Sequence, residues 1–424
     1  NKYGRNTIVL YENGHFYEVY GIDNDKEQLG NAKRVSEILN ITLTRKNKKI
    51  IETSRSNPLL VGVPTISINK HLKTLIMHKF TVVFVEQITS PPEPQRGLTR
   101  IVSPTTYIGE ECKSDSNYLL SIYFESCHDT KNYCKTLIVG MSGIDLTTGE
   151  CIHYQLSSVN GEFDVVFEDM YRFIETIDPK ETLVHYSNQD IFSLSEISEL
   201  LEFDKRIVHS RNNCTKEIFK LSYQNEFLKK IYPNCGLMSP IEHINMEFKH
   251  ESLISYIILL IFTHEHDERI LRNLGIPEEW NRKRYLILNH NTLYQLNIVP
   301  DNTLDNPFAI RSLFDIINNT NTPMGKRLLR SRLLNPILNE TKLNEQYKML
   351  DSMINFDDRS KFDTHMKIVL DLERFVRKMC IGYLHPHEMA GLDISLTAIK
   401  NIINMFDQIG DKNGFIKLLE KDRE

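Results

Sequence analysis

Much of what this sequence lacks is informative. Its seven cysteines are an odd number and no two stand in a Cys-x-x-Cys pair, which excludes a closed disulfide framework or a zinc ribbon and fits a reduced, intracellular protein. There is no Gly-x-x-x-x-Gly-Lys-Ser/Thr phosphate loop. The one Gly-Lys pair, Gly325-Lys326, is followed by Arg327 and not by a hydroxyl, so this stretch of chain is expected neither to hydrolyse ATP nor to need a cofactor. The longest apolar run, Leu253 to Phe262, is broken by Ser255 and Tyr256 and is far shorter than the ~20 residues of a membrane span. It reads as a buried helix, with no membrane partner. Signal peptide and initiator Met are both missing at Asn1, so the chain is expected to be a piece of a longer protein. Internal repeats and low-complexity tracts are absent too.

What is present is an ordinary globular composition, 41% hydrophobic and 25% charged over 424 residues, which at roughly 150 residues per domain suggests about three domains. The formal net charge of −5 looks unfavourable for a nucleic-acid partner, yet it is an average. Residues 1–113 hold 16 basic and 11 acidic side chains, residues 114–236 hold 11 and 19, and residues 237–424 hold 24 and 26. A phosphate backbone responds to the local field. The first segment is the candidate contact surface.

Local patterns give each segment a fold class. Asn6 to Tyr11 and Phe80 to Glu86 are β-branched and aromatic runs of strand length. Between them Ile68, Leu72, Leu75 and Ile76 share one helical face behind Ser67, a candidate N-cap. The first segment is thus a small mixed α/β domain, running out in the Pro-rich stretch Ser90 to Gly97. In the second, strand Cys151 to Leu156, helix Phe163 to Ile177 and strand Thr182 to Tyr186 make a βαβ unit with parallel strands. From about Gly236 the pattern changes to long amphipathic helices, with Leu343, Tyr347, Leu350 and Ile354 on one stripe. The expectation is a multidomain chain, α/β followed by all-α and elongated.

Four motifs carry candidate chemistry. Asn13-Gly14-His15-Phe16-Tyr17-Glu18 places aromatics and a carboxylate beside a glycine turn, and in extended backbone Phe16 and Glu18 share a side while Tyr17 takes the other. Either Phe16 and Tyr17 are core aromatics with Glu18 solvated, or Phe16 is a wedge that unstacks bases from the minor groove beside a base-reading carboxylate. Arg45-Lys46-Asn47-Lys48-Lys49 is a basic run in the one positive segment, and Arg45, Lys46, Lys48 and Arg100, with Arg96 adding to the field, are candidate phosphate contacts. Thr322 to Pro336 reads as a helix with a Leu328, Leu329, Leu333 stripe and cationic outer side chains. His264-Glu265-His266-Asp267-Glu268 lacks the His-x-x-x-His spacing of a metal site and reads as a surface helix end, and Asp145 alone is a poor metal site.

Several of these segments in order resemble the MutS mismatch-repair family. They are Lys2-Tyr3-Gly4, Thr7-Ile8-Val9-Leu10 and Gly14-His15-Phe16-Tyr17-Glu18, then Leu39 to Thr44, Val61-Gly62-Val63-Pro64, Val85-Glu86-Gln87 and Arg100-Ile101-Val102-Ser103-Pro104. Asn289 to Asn297, Leu313 to Pro336 and Asp371-Leu372-Glu373-Arg374 look like that family's lever region. The resemblance implies a mismatch-binding domain over 1–113, a connector domain with an RNase H-like, non-catalytic fold over 114–236, and a truncated helical lever over 237–424. It implies that Phe16 is the intercalating phenylalanine and Glu18 the glutamate that bonds the mispaired base. The implied partners are double-stranded DNA with mismatches or small loops, a second copy or paralogue in a dimer, and a downstream repair partner met through the connector. ATP and Mg belong to an ATPase domain outside these residues. His15 departs from the family's usual Asp, and Thr105 from the Gly that usually follows the Pro. Two further readings stay open, a metal-dependent nuclease on the second segment built around Asp145, and a protein-docking module.

Overall fold

The strand that carries the glycine-turn motif alternates from Phe16 to Ile22, outward at Phe16, Glu18 and Tyr20 and buried at Tyr17, Val19 and Gly21, the period of a sheet with one covered face. In the computed structural model, residues 6–89, 94–109, 116–128, 135–158, 161–187, 193–201, 203, 207–210, 215–281, 284–288, 290–299, 310–354 and 359–408 are described. Lys2-Tyr3-Gly4, part of the Pro-rich stretch, Asn289, Cys112, Cys134, Cys214 and the last residues of the chain lie outside them.

The first unit runs β1 (Thr7–Asn13), β2 (Phe16–Asp23), β3 (Gln28–Leu29), α1 (Ala32–Leu39), β4 (Thr44–Arg45), β5 (Leu59–Pro64), α2 (Ile68–Met77), β6 (Thr81–Gln87) and β7 (Arg96–Val102). Its sheet has the order β4-β5-β2-β1-β6-β7, with β3 beside β2. Every neighbour is antiparallel except β1 and β6. The helices cover one face: Ile68, Leu72, Leu75 and Ile76 of α2 are all buried with Ile8, Leu10, Tyr17, Val19 and Phe84 of the strands. Ser67 makes no side-chain cap bond to α2. Its hydroxyl donates to the Pro64 carbonyl at 3.2 Å instead.

The second unit comprises β8 (Tyr118–His128), β9 (Lys135–Asp145), β10 (Cys151–Ser157), α3 (Asp164–Ile177), β11 (Glu181–Tyr186), α4 (Leu194–Leu200), β12 (Ile207–Ser210), α5 (Leu221–Ile231), α6 (Pro240–His243), α7 (His250–His266) and β13 (Glu278–Glu279). The strand, helix and strand of the expected βαβ unit are present as β10, α3 and β11, but they are not neighbours. The order is β12-β11-β8-β9-β10-β13, so β8 and β9 lie between them. An antiparallel meander across β8, β9 and β10 returns β10 parallel to β8, and β11 pairs with β8.

A packing break is expected near residue 236, and the structure has none there. α7 lies on the β8–β9 face, burying Leu253, Ile254, Ile257, Ile258 and Leu260 with Leu119, Ile144 and Leu183 of the sheet. β13 then adds a strand beside β10, and Trp280 packs with α3 and the other face. The apolar stretch that begins the expected helical segment therefore completes the second core. The two residues that interrupt the run have reasons to do so. Ser255 donates to the Ser121 carbonyl at 2.8 Å, and the buried Tyr256 hydroxyl pairs with that of Tyr232 at 2.6 Å. Gly140 allows the close approach, since a Cβ there would lie 2.1 Å from the Glu251 carbonyl carbon.

The remaining helices are α8 (His290–Gln295), α9 (Leu313–Ile317), α10 (Pro323–Leu334), α11 (Glu340–Ile354), α12 (Arg359–Met366), α13 (Leu372–Ile381) and α14 (Pro386–Gln408). The helical reading of this part holds, but the stripe on α11 is not a core face, because Tyr347, Leu350 and Ile354 are all more than half exposed. In α10, Leu328 is exposed and Leu334 is buried. Two of its cations are spent inside the protein: Arg327 bonds Asp371 at 2.6 and 2.8 Å and Glu373 at 2.5 Å, and Arg330 reaches Asp178 at 3.3 Å. Arg377 of α13, 2% exposed, inserts its guanidinium among the carbonyls of Ile270, Arg272, Asn273 and Leu146. It lies against Gly149, whose φ of +83° suits glycine.

The first two units meet at a buried carboxylate. Glu181 is fully buried and accepts from the Ser103 hydroxyl at 2.6 Å, from the Thr105 backbone N–H at 3.2 Å and from the Thr105 hydroxyl. His209 stands 3.4 Å from its other oxygen. Burial alone would raise this carboxyl's pKa, but the bonds from His209, Ser103 and Thr105 outweigh it and hold the group below the usual 4.5. Thr105 thus supplies two of the donors.

Two expectations follow. Gly140→Ala forces a methyl into backbone that cannot yield, and should lower stability by about 1–3 kcal/mol in denaturant melts. A depressed carboxylate adds stability above its unfolded pKa, so the Glu181 contribution should be complete above pH 4.5 and disappear as pH falls below it. In Glu181→Gln that acid-limb loss should be smaller, measured as the urea midpoint against pH.

Candidate nucleic-acid interface

The turn that presents the motif is built locally. Gly14 has φ +60°, and β1 and β2 close around it with Asn13 opposite Phe16. A second loop braces it: the Thr65 N–H donates to the His15 carbonyl at 3.0 Å, and Phe16 pairs with Pro64 across β5. The three residues of the motif divide as the alternation expects. Tyr17, 7% exposed, stands edge-on to Phe84 at 5.5 Å, and its hydroxyl donates to Glu86 at 2.5 Å. Burial first, then the Glu86 bond, push that phenol well above its ordinary range, so it stays a donor. Phe16 leaves the opposite face and remains 48% exposed. The reading in which both aromatics are core holds for Tyr17 alone.

Glu18 lies on the Phe16 face, directly across from Tyr11 and Gly62. A Cβ at Gly62 would sit 3.7 Å from the Phe16 ring, so the glycine leaves the ring a flat floor. One carboxylate oxygen of Glu18, Oε2, accepts from Asn13 Nδ2 at 3.2 Å and from the Tyr20 hydroxyl. Tyr20 in turn meets Tyr11 edge-on at 6.3 Å, and the Arg96 guanidinium covers Tyr11 at 5.1 Å. Asn13, Tyr11 and Tyr20 join the site only through these tertiary contacts. The signal was available for Tyr20, which continues the i, i+2, i+4 series of Phe16 and Glu18.

The four candidate phosphate contacts do not form one patch. Lys46 and Lys48 are exposed in the loop after β4. Arg45 is half-buried and pairs with Leu59, itself opposite Gly21, so the register sends it to the helix-covered face, away from Phe16. Arg100 lies over the Phe84 ring at 4.0 Å, and Phe84 belongs to the buried face. Lys46 and Lys48 are the ones open to a large partner.

The other candidates are structural. Asp145 is buried and its side chain is occupied, Oδ1 by the Thr147 N–H at 2.8 Å and hydroxyl at 2.6 Å, Oδ2 by the Asn117 N–H at 3.3 Å. His266 ends α7 buried rather than on the surface, with Nδ1 2.8 Å from the Phe262 carbonyl. Among the described residues no group of three or more His, Cys, Asp or Glu side chains could hold a metal ion, Cys127, Cys151, Cys235 and Cys380 are free thiols, and no helix is long and apolar enough to cross a membrane.

Known proteins match most of the chain. The family model described as MutS domain I matches residues 1–111, and that described as MutS domain III matches residues 291–421. A putative DNA mismatch repair protein, mutS homolog L359 of Acanthamoeba polyphaga mimivirus, is 30% identical over 417 residues, covering 92% of this chain and 37% of the relative. The DNA mismatch repair protein MutS of Methanosarcina acetivorans is 27% identical over 408 residues (93% and 42%), and that of Thermosipho melanesiensis 24% over 443 residues (98% and 45%). The chain spans less than half the length of these relatives. A domain I model over the unit that presents Phe16 and Glu18, a domain III model over the helical part and MutS relatives along nearly all of its length show that the chain belongs to the MutS family.

Proposed function

We propose that this chain is the mismatch-reading part of a DNA mismatch-repair protein. Phe16 enters a kinked duplex from the minor groove and Glu18 contacts the displaced base. The observation that carries the proposal is the division of labour on β2, where Tyr17 anchors the strand in the core while the next aromatic, Phe16, is held in water on the opposite face beside Glu18. A large exposed ring is unfavourable in water and is explained by a partner with apolar faces to receive it. A base stack is such a partner, and it is easiest to open where pairing is faulty. Lys46 and Lys48 then neutralise phosphates. The Glu18 carboxylate, which would be repelled by phosphates alone, accepts from a base N–H.

The connector reading is supported by the second sheet, where an antiparallel β8-β9-β10 meander is extended by the parallel strands β11 and β12, and by Asp145, the carboxylate that could suggest nuclease chemistry, being consumed by its own turn. In the protein at its native length, dimerisation and ATP with Mg are expected to come from residues outside this chain.

Phe16→Ala at native length should reduce the preference for a mismatched over a matched duplex by tenfold or more, about 1.4 kcal/mol or greater, with most of the salt-dependent affinity retained. Unchanged discrimination in fluorescence anisotropy titrations would remove Phe16 as the wedge. The pair Lys46→Ala/Lys48→Ala should weaken matched and mismatched duplexes alike and flatten the plot of log affinity against log salt by about two.

A further inference from the structure

Glu18 does not stand free on its face. It ends a row of side chains that crosses the outer side of the sheet from β7 through β1 to β2: the Arg96 guanidinium over Tyr11 at 5.1 Å, Tyr11 edge-on to Tyr20 at 6.3 Å, and the Tyr20 hydroxyl on Glu18 Oε2. Arg96 is itself fixed by its Nε, which donates to the Glu12 carbonyl at 2.8 Å. Asn13, at the turn, donates its amide to the same Oε2 at 3.2 Å. Among the described residues no hydrogen bond reaches the other oxygen, Oε1. A flexible three-carbon acid at a strand surface ordinarily samples several rotamers, and immobilising such a side chain on binding costs free energy.

We propose that Tyr20 and Asn13 are positioning residues for mismatch recognition: they hold Glu18 by one oxygen in its bound conformation and leave Oε1 as the acceptor offered to the displaced base. The inference rests on the proposed role of Glu18. Neither residue touches the base; both act through the carboxylate. Register supports the arrangement, because Tyr20, two residues from Glu18 on the same strand, has its ring set by Tyr11 and not by Glu18 itself. Burial and then the Glu18 bond push the Tyr20 phenol well above its ordinary range, so it remains a donor throughout the pH range of an assay.

The test is Tyr20→Phe, which removes the hydroxyl and keeps the ring, in the protein at native length. Its partners are Asn13→Ala, Glu18→Ala, and Tyr20→Phe and Asn13→Ala each combined with Glu18→Ala. The readout is the ratio of affinities for duplexes that differ only in a G·T mismatch against a G·C pair. Tyr20→Phe is expected to lower the ratio about fivefold, Asn13→Ala by less, and neither to change it further once Glu18 is alanine, because an effect transmitted through a side chain vanishes with that side chain. Equal losses with and without Glu18 would show that the hydroxyl supports the sheet and not the carboxylate, and would overturn the inference. So would a wild-type ratio in Tyr20→Phe and Asn13→Ala when Glu18→Ala is impaired, with the role of Glu18 left standing. A wild-type ratio in Glu18→Ala would instead remove the reading on which the inference depends.

Discussion

The architecture of the Phe16 and Glu18 surface depends on the two-residue period of β2. Because adjacent side chains of a strand must leave opposite faces, burying Tyr17 against Phe84 and tying its hydroxyl to Glu86 fixes where Phe16 and Glu18 point. A slip of one residue would bury Phe16 and expose Tyr17. The buried tyrosine is therefore what keeps the exposed phenylalanine exposed. The turn at Gly14, the brace from Thr65 and the flat floor at Gly62 refine the presentation. None of them selects the face.

Electrostatics follow from the same division. The excess of basic side chains in the first 113 residues is real in the sequence, yet the sheet splits it. Arg45 and Arg100 go to the helix-covered face, where Arg100 lies on an aromatic ring, and Arg96 becomes part of the row that ends at Glu18. Lys46 and Lys48 stay in solvent. Net charge marks the segment that could meet a polyanion, while strand register decides which cations face it.

Behind the first unit, the chain is joined by buried polar contacts and not only by apolar ones. Glu181 collects donors from Ser103 and Thr105 at the first joint, and Arg377 is received by four backbone carbonyls at the second. Such groups are unfavourable when buried alone and specific when paired, so each admits one arrangement of its neighbours.

The sequence by itself determined the local elements and the shared side of Phe16 and Glu18, because periods of 2 and 3.6 are written into neighbouring residues; the fold turned that side outward. The helical face of α2 and the buried nature of α7 were legible for the same reason. Tertiary structure decided what depends on residues far apart in the chain. It placed α7 and Trp280 in the second core instead of in the helical part, since the apolar content of a helix does not name the sheet it covers. It left the Tyr347, Leu350 and Ile354 stripe of α11 exposed, and it sent Arg45 and Arg100 away from the reading face. It also brought Arg96, Tyr11 and Tyr20 into line behind Glu18, a row that spans three strands and has no spacing in sequence to announce it.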